Sequence, residues 1–150
     1  MGLGKTIMFK WMGGLHVGMY RMSGGAIGGK MLNHRVCLLT TTGRKSGKTR
    51  TMPLLCLEEG EKVSIIASRG GDPRNPAWYH NLMAKPEVEI QLGKDTRQMV
   101  AEVVEGEEHQ RIWDKMSSRY AGYNSYAKKA GRTIPVVTLR PRGEAEPPPQ

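Results

Sequence analysis

The residues best suited to chemistry lie in residues 43–50, which we call the basic turn. This segment follows an apolar run and combines two glycines and a serine with four cations, Arg44, Lys45, Lys48 and Arg50. Glycine permits tight turns that direct successive backbone N–H groups into one concavity, and the cations add charge-assisted hydrogen bonds. The segment does not follow the Walker pattern G-x-x-x-x-G-K-[ST]. It therefore predicts an anion-binding site of another kind, with a solvated basic hairpin as the alternative.

A second glycine-rich turn, Ser68-Arg69-Gly70-Gly71, follows another apolar run. It again places a cation and paired glycines where a strand should end. Two such turns favour a ligand with more than one negative group, whereas an ordinary glycine-rich turn is the simpler alternative.

Three of the five tyrosines, Tyr120, Tyr123 and Tyr126, recur every three residues. On one helix this spacing spreads them over an arc of roughly 120°, which lets their hydroxyls converge on one pocket. Phenols placed in this way can donate hydrogen bonds to an oxygen that gains charge during a reduction. The alternative is aromatic packing with the hydroxyls at a wet rim.

Other catalytic patterns are weak. The four histidines show no metal-ligand spacing, so no metal site is expected, and neither a nucleophile elbow nor a pair of catalytic carboxylates is recognisable. Redox chemistry supplied by a cofactor is therefore the leading enzymatic interpretation.

Composition narrows the class of partner. The chain has 150 residues, enough for about one domain, and its net charge of +9 indicates an anionic partner. The basic turn lacks interleaved aromatic residues and no nucleic-acid-binding motif is present, so nucleic acid is not expected. Cys37 and Cys56 form no C-x-x-C pair, and we interpret them as reduced core residues of a cytoplasmic protein.

The two ends of the chain differ from its middle, residues 31–141, which we expect to form one folded domain. Residues 1–30 have an apolar face at helical spacing, flanked by lysines, and predict an amphipathic helix. It would either cover the domain's own pocket or contact the inner face of the cell membrane. No run approaches the roughly 18 apolar residues of a spanning helix. Residues 142–150 contain three consecutive prolines and predict a disordered tail.

Between these ends, apolar runs predict six strands joined by short turns, at residues 36–42, 51–57, 62–68, 88–92, 99–104 and 134–139. Two helices interrupt them. One should begin at Asn75 as N-cap, with Pro76 in the first helical position, and run to about Met83. The other should open at Glu107 and carry Tyr120 on its apolar face. The pattern predicts a mainly β domain with flanking helices, either a barrel or a sandwich.

Several of these segments, in this order, resemble the deazaflavin-dependent nitroreductase family, in particular its quinone- and enone-reductase-like members in actinobacteria. They are residues 38–47 with Arg50 and Pro53, residues 67–71, residues 75–82, the tyrosine repeat and residues 132–136. The resemblance spans about residues 32–140. It implies a split β-barrel of the FMN-binding-like kind. It also implies coenzyme F420, an 8-hydroxy-5-deazaflavin with a phosphate and an oligoglutamate tail, with FMN as the less favoured alternative.

The resemblance also implies residues that bind the cofactor. Lys45, Ser46 and Arg50 would hold the phosphate, helped by backbone N–H groups of the same turn, and Arg44 and Gly47 would also belong to the cofactor site. Pro53 and Ala67 would lie along the ring of the cofactor. Arg69 would meet its tail, and Trp78 and Asn81 would close the cofactor pocket.

On the substrate side, the resemblance implies that Ser68 and the three tyrosines face an acceptor. Leu55 stands where the nitroreductase type has tyrosine, which counts against nitroimidazole activation specifically. The implied reaction is hydride transfer from reduced F420 to an electron-poor hydrophobic acceptor, such as a quinone, an α,β-unsaturated carbonyl or a nitroaromatic. Two alternatives stay open: a non-catalytic deazaflavin or FMN carrier, and a basic membrane-surface adaptor.

Overall fold

The protein was analysed as a computed structural model, which describes residues 21, 30–31, 34–68, 71–120 and 122–143. These residues form seven strands and three helices. The strands are β1 (Lys30–Met31), β2 (His34–Thr42), β3 (Thr49–Glu59), β4 (Lys62–Ile66), β5 (Glu87–Leu92), β6 (Asp95–Val104) and β7 (Val136–Pro141). The helices are α1 (Ala77–Ala84), α2 (Gly106–Arg119) and α3 (Gly122–Ala130).

Strands β2 to β7 close into a barrel. Every pairing is antiparallel, in the order β2, β3, β4, β7, β6, β5, and β5 returns to pair with β2. The predicted split β-barrel with flanking helices is confirmed, and the sandwich is excluded.

Strand side chains alternate between the faces of the sheet, and the buried ones form two main cores. An inner core fills the barrel and includes Cys37, Leu39 and Ile90, all essentially inaccessible to solvent. An outer core lies where α2 and α3 cover the sheet and includes Ile112 and Met116. The helices are therefore held by their apolar faces, while the barrel is held by its own interior.

Element boundaries agree with the sequence prediction to within a few residues, and short turns with Gly60 and Gly93 at positive φ join β3 to β4 and β5 to β6. The N-cap prediction for α1 is wrong. Pro76 is the N-cap residue, and no side chain caps the helix there. The Asn75 side chain, which was expected to do so, accepts a hydrogen bond from Arg132 instead.

The prediction that one helix carries all three tyrosines is also wrong. α2 ends at Arg119, Tyr120 is its C-cap, and only Tyr123 and Tyr126 lie on α3. Gly122 explains the break, since a Cβ there would lie 2.6 Å from Cζ of the Tyr120 ring, which folds back over the glycine.

The N-terminal segment predicted at residues 1–30 lies outside the described residues apart from Arg21 and Lys30, and so does residue 144 onward of the predicted tail. Both remain predictions, as does the division at residues 31 and 141. In the part that the structure describes, no helix is long and apolar enough to cross a membrane.

Candidate functional site

Within the basic turn, residues 43–48 form the connection between β2 and β3, and this connection closes on itself. Gly43 N–H donates to Lys48 O at 2.7 Å, and Gly47, at φ +72°, donates to Gly43 O at 2.8 Å. A Cβ on Gly43 would lie 2.8 Å from Ser46 Oγ and 3.0 Å from Lys48 O. Glycine is therefore required at position 43 by close packing, and at position 47 by backbone conformation.

This closure leaves the turn's cationic side chains free to face an anion. All four cationic residues of the turn are exposed to solvent, namely Arg44, Lys45, Lys48 and Arg50. By contrast, the backbone N–H of Gly47 bonds within the turn, and that of Arg44 donates to Asn81 Oδ1. Both N–H groups are thus engaged within the protein, and the assignment of Arg44 and Gly47 to cofactor binding stays a prediction.

Asn81 ties the basic turn to α1. It is 5% exposed, and its Oδ1 accepts from Arg44 N–H at 3.1 Å while its Nδ2 donates to Thr41 Oγ1 at 3.2 Å. Both ends of the amide are thus satisfied inside the protein, as a buried polar group requires. The contacts assign Asn81 to positioning the turn, a role that the sequence did not reveal. Thr41, the other partner, carried no sequence signal.

Between the basic turn and the outer core runs an outer strip of β2 and β3. The cross-strand pairs on this face are Thr40 with Thr51, Leu38 with Pro53 and Val36 with Leu55. The two threonine hydroxyls are hydrogen-bonded at 2.8 Å. Leu55 packs against both Val36 and the outer core, so the strip is continuous with the helices.

The barrel opens beside this strip. β3 has eleven residues, but in the described chain its pairing with β4 covers only Leu57–Glu59. Pro53 therefore lies where its missing N–H breaks no ladder on that side. β4 ends at Ile66, and Ala67 N–H donates to Pro135 O at 3.0 Å, so the chain stays paired with the segment that leads into β7.

We call residues 67–75 the second loop. Ala67 is fully buried in the inner core and Ser68 is partly exposed. Arg69, predicted to meet the cofactor, lies outside the described residues, so its role stays a prediction. Arg132, which the sequence interpretation did not assign to the site, bonds to several backbone groups of this loop.

The three tyrosines form one cluster at the end of the strip. Their rings pack edge to face, with centroids 5.2–6.2 Å apart, and Tyr120 Oη lies 2.8 Å from Tyr126 Oη. That hydrogen bond and burial raise the pKa of Tyr126. Burial, then the nearby Tyr120 and Tyr126, raise the pKa of Tyr123, which is 5% exposed. Tyr123 and Tyr126 therefore stay protonated at neutral pH.

The predicted convergence of hydroxyls holds for Tyr120 and Tyr126. Tyr123 belongs with the outer core, where its ring contacts Trp113. Trp78, predicted to close the cofactor pocket, is 5% exposed and packs in the inner core.

Comparison with known proteins decides the family. Residues 11–141 match the family described as F420H(2)-dependent quinone reductase. An F420H(2)-dependent quinone reductase of Mycobacterium tuberculosis is 39% identical over 137 residues, which cover 85% of this chain and 89% of that protein. The chain belongs to the F420H(2)-dependent quinone reductase family. It is therefore related to oxidoreductases that use coenzyme F420.

Solved structures agree with this placement. A structure described as an F420-H2 dependent reductase has a TM-score of 0.66 and 42% identity, over 70% of this chain and 93% of that one. A haem storage protein from Vibrio cholerae has a TM-score of 0.54 at 17% identity, over 71% of this chain and 81% of that one. The second likeness shows the fold alone.

The basic turn fits the cofactor of the F420H(2)-dependent quinone reductase family. F420 carries a phosphate and further carboxylates, and the turn offers four exposed cations held by a closed, glycine-dependent backbone. Charge-assisted hydrogen bonds from such side chains are about twice as strong as neutral ones. The residues present therefore suit an anionic cofactor.

Proposed function

We propose that the protein reduces quinones with coenzyme F420, bound along the outer strip with its phosphate at the basic turn. The observation that carries the proposal is the continuity of one surface. Successive strand residues rise about 3.4 Å, so Leu55 lies roughly 17 Å along β3 from Arg50. Over this distance the outer strip connects the anion site at the basic turn to the tyrosine cluster, with apolar side chains between them.

The chain's own residues bind and orient. Lys45, Ser46 and Arg50 hold the phosphate, while Pro53 and Ala67 flank the opening of the barrel beside the ring. When bound, reduced F420 supplies a hydride. Leu55 presents an apolar surface that favours a flat, hydrophobic acceptor and excludes water.

The tyrosine pair handles the charge that develops on the acceptor. In the Tyr120–Tyr126 hydrogen bond one hydroxyl donates to the other, and the second keeps its own proton for an acceptor oxygen. A hydroxyl that already accepts a hydrogen bond is a better donor. The pair can therefore stabilise an oxygen that gains charge and then deliver a proton to it. Ser68, at the start of the second loop, is a further donor.

Quinones are the acceptor class that the family favours, since the relative in M. tuberculosis is named for quinone reduction. An α,β-unsaturated carbonyl needs the same two elements, a hydride and a donor to oxygen, and we propose enones as a second class. Nitroaromatics are a third, with nitroimidazoles disfavoured by Leu55.

A cofactor comparison tests the proposal against a general flavin carrier. Purified protein is titrated with F420, FMN and NADPH, and cofactor or protein fluorescence is followed. We expect saturable binding of F420 that is at least tenfold tighter than that of FMN, because only F420 adds tail carboxylates to the phosphate. Equal or tighter binding of FMN would contradict the assignment.

We further propose that residues 1–30 contact a membrane surface, from the apolar face and flanking lysines of that segment. The basic net charge suits anionic lipid. Removal of residues 1–20 should abolish sedimentation with anionic vesicles and leave F420 affinity unchanged. Loss of F420 affinity with unchanged vesicle binding would instead support a pocket cover.

A further inference from the structure

Arg132, two residues past the end of α3, binds the second loop. Its guanidinium donates to four oxygens of that loop. Nε bonds to Asp72 O at 3.2 Å and Nη1 to Asn75 Oδ1 at 2.5 Å. Nη2 bonds to Ala67 O at 3.3 Å and to Arg74 O at 3.2 Å. One side chain thus links the first residue of the loop to its last.

The same loop also packs directly on α3. Gly71, at φ +87°, has room for no side chain, because a Cβ would lie 3.2 Å from Tyr126 Cα and 3.1 Å from Lys129 Cδ. Its N–H donates to Ser68 O at 3.0 Å, which ties Ser68 to this point of contact. Ser68 and Tyr126 are therefore on two elements that meet at Gly71.

We propose that Arg132 is a positioning residue for the reduction, because it fixes the second loop, with Ser68, against α3, with Tyr126. The inference rests on the proposed function. α3 ends at Ala130 and Gly131 follows at φ +64°, so Arg132 lies just past the helix end and reaches back across the loop. Arg132 thereby holds the second loop and α3 at a fixed distance from each other.

The planar guanidinium of Arg132 suits the positioning of the second loop against α3. It carries five N–H donors in a fixed fork, whereas lysine offers one compact charge that cannot reach four oxygens in different directions. The charge itself is secondary, since three of the acceptors are backbone carbonyls. Arg132→Lys should therefore resemble Arg132→Ala and not the wild type.

Kinetics with F420 and menadione test this inference. A misplacement of about 1 Å can cost roughly 100-fold in rate. We expect both Arg132 variants to lower kcat by about 10- to 100-fold, with the KM for menadione unchanged, because the acceptor surface at Leu55 is untouched. Free guanidinium chloride should restore part of the kcat of Arg132→Ala, while potassium chloride at equal ionic strength should not.

Matched variants separate positioning from general stability. Arg111→Ala removes another arginine, one that pairs with Glu59 on the far side of α2, and should leave kcat unchanged. Gly71→Ala leaves Arg132 in place but crowds the contact between the loop and α3, and should lower kcat in the same way. It also keeps the inference testable if Arg132→Ala does not fold.

The outcomes that overturn the inference are distinct from those that overturn the function. Wild-type kcat in Arg132→Lys, an equal loss in Arg111→Ala, or an absence of guanidinium rescue in folded Arg132→Ala would each reject Arg132 as a positioning residue. Failure of the wild-type protein to bind F420 or to reduce menadione would instead reject the proposed function.

Discussion

Single residues show how the basic turn is made for an anion. Gly43 has no space for a side chain, since its neighbours Ser46 and Lys48 fill the place where a Cβ would stand. The cations beside it are exposed and do not contribute to a core. Residues that fold the turn and residues that face a ligand are thus different ones, so their substitution should have different effects.

The first prediction concerns the two cations expected to hold the phosphate. Charge-assisted hydrogen bonds contribute about 1.5–3 kcal/mol each, so Lys45→Ala or Arg50→Ala should weaken F420 binding by roughly 10- to 150-fold. The melting temperature should hardly change, because both residues are exposed. Lys94→Ala is the matched control, at the turn between β5 and β6. Unchanged F420 affinity in both variants would refute the phosphate assignment.

The second prediction concerns the hydroxyl pair. Tyr126→Phe keeps the ring and its packing but removes the partner of Tyr120 Oη. Removing one donor to a developing oxyanion typically costs about 10²–10³ in rate, and we expect kcat for menadione to fall by up to that amount. Cofactor affinity should stay the same. Tyr79→Phe, on α1, serves as the control. Full activity of the Tyr123→Phe, Tyr126→Phe double variant would mean that these tyrosines contribute only packing.

Elements place these residues, and α1 places the basic turn. Asn81 projects from α1 to Arg44 and Thr41, so the turn is held by a helix residue that follows Arg44 by 37 positions. No sequence pattern marks such a tether, because an asparagine inside an amphipathic helix is typical of an exposed position. The resemblance to a known family predicted that Asn81 lies in the site, and the structure adds that its amide tethers the turn.

The third prediction separates the two hydrogen bonds of this tether. Asn81→Ala frees the Arg44 N–H and should lower F420 affinity by about 3- to 10-fold, since a typical hydrogen bond contributes about 0.5–1.5 kcal/mol. Thr41→Val removes only the bond between Thr41 and Asn81. It should destabilise the fold to a similar degree and leave F420 affinity near wild type. Equal affinity losses in the two variants, by fluorescence titration, would argue against a specific tether to Arg44.

A salt-bridge cluster anchors α2 to the end of β3. Glu59 accepts from Arg111 Nη1 and from Lys115 Nζ, both at 2.7 Å. The pair with Arg111, and then that with Lys115, lowers the pKa of Glu59 to about 2. Its carboxylate is thus more stable in the folded chain than in the unfolded chain, where glutamate titrates near 4.3.

The fourth prediction follows from the sign of this shift. A lowered pKa stabilises the fold above about pH 4.3, and that contribution is lost as the pH falls toward 2. Glu59→Gln should lower the melting temperature at pH 7 by about 2–4 °C, as expected for about 1 kcal/mol from partly exposed ion pairs. The difference from wild type should shrink on acidification between pH 5 and pH 2. A constant difference across this range, by thermal melts, would contradict the assignment.

The extent of what sequence reasoning can predict differs among the elements. The β5–β6 hairpin was predictable because Gly93 and its neighbours form a local turn signal. The break between α2 and α3 was not, because it depends on how the Tyr120 ring lies over Gly122. Similarly, the Asn75 capping prediction failed because Arg132, 57 residues away, uses that side chain.

At the scale of the whole molecule, barrel closure brings the site together. The β2–β5 and β4–β7 pairings join strands far apart in sequence, and no local pattern specifies them. The short β3–β4 pairing leaves the barrel open beside Pro53, so the same topology that completes the sheet also leaves the opening for a ligand. The net charge of +9 then suits a polyanionic cofactor.

The measurement that tests the central claim most directly is the anaerobic reaction of protein, reduced F420 and menadione, followed by the return of the oxidised cofactor's visible absorbance. We predict saturable turnover in which one menadiol forms for each F420 oxidised, and loss of that turnover at low cofactor concentration in the Lys45→Ala, Arg50→Ala double variant. Tight binding of reduced F420 without oxidation above the rate in buffer would contradict the account and identify a carrier. Turnover that survives unchanged in the double variant would contradict the location of the site.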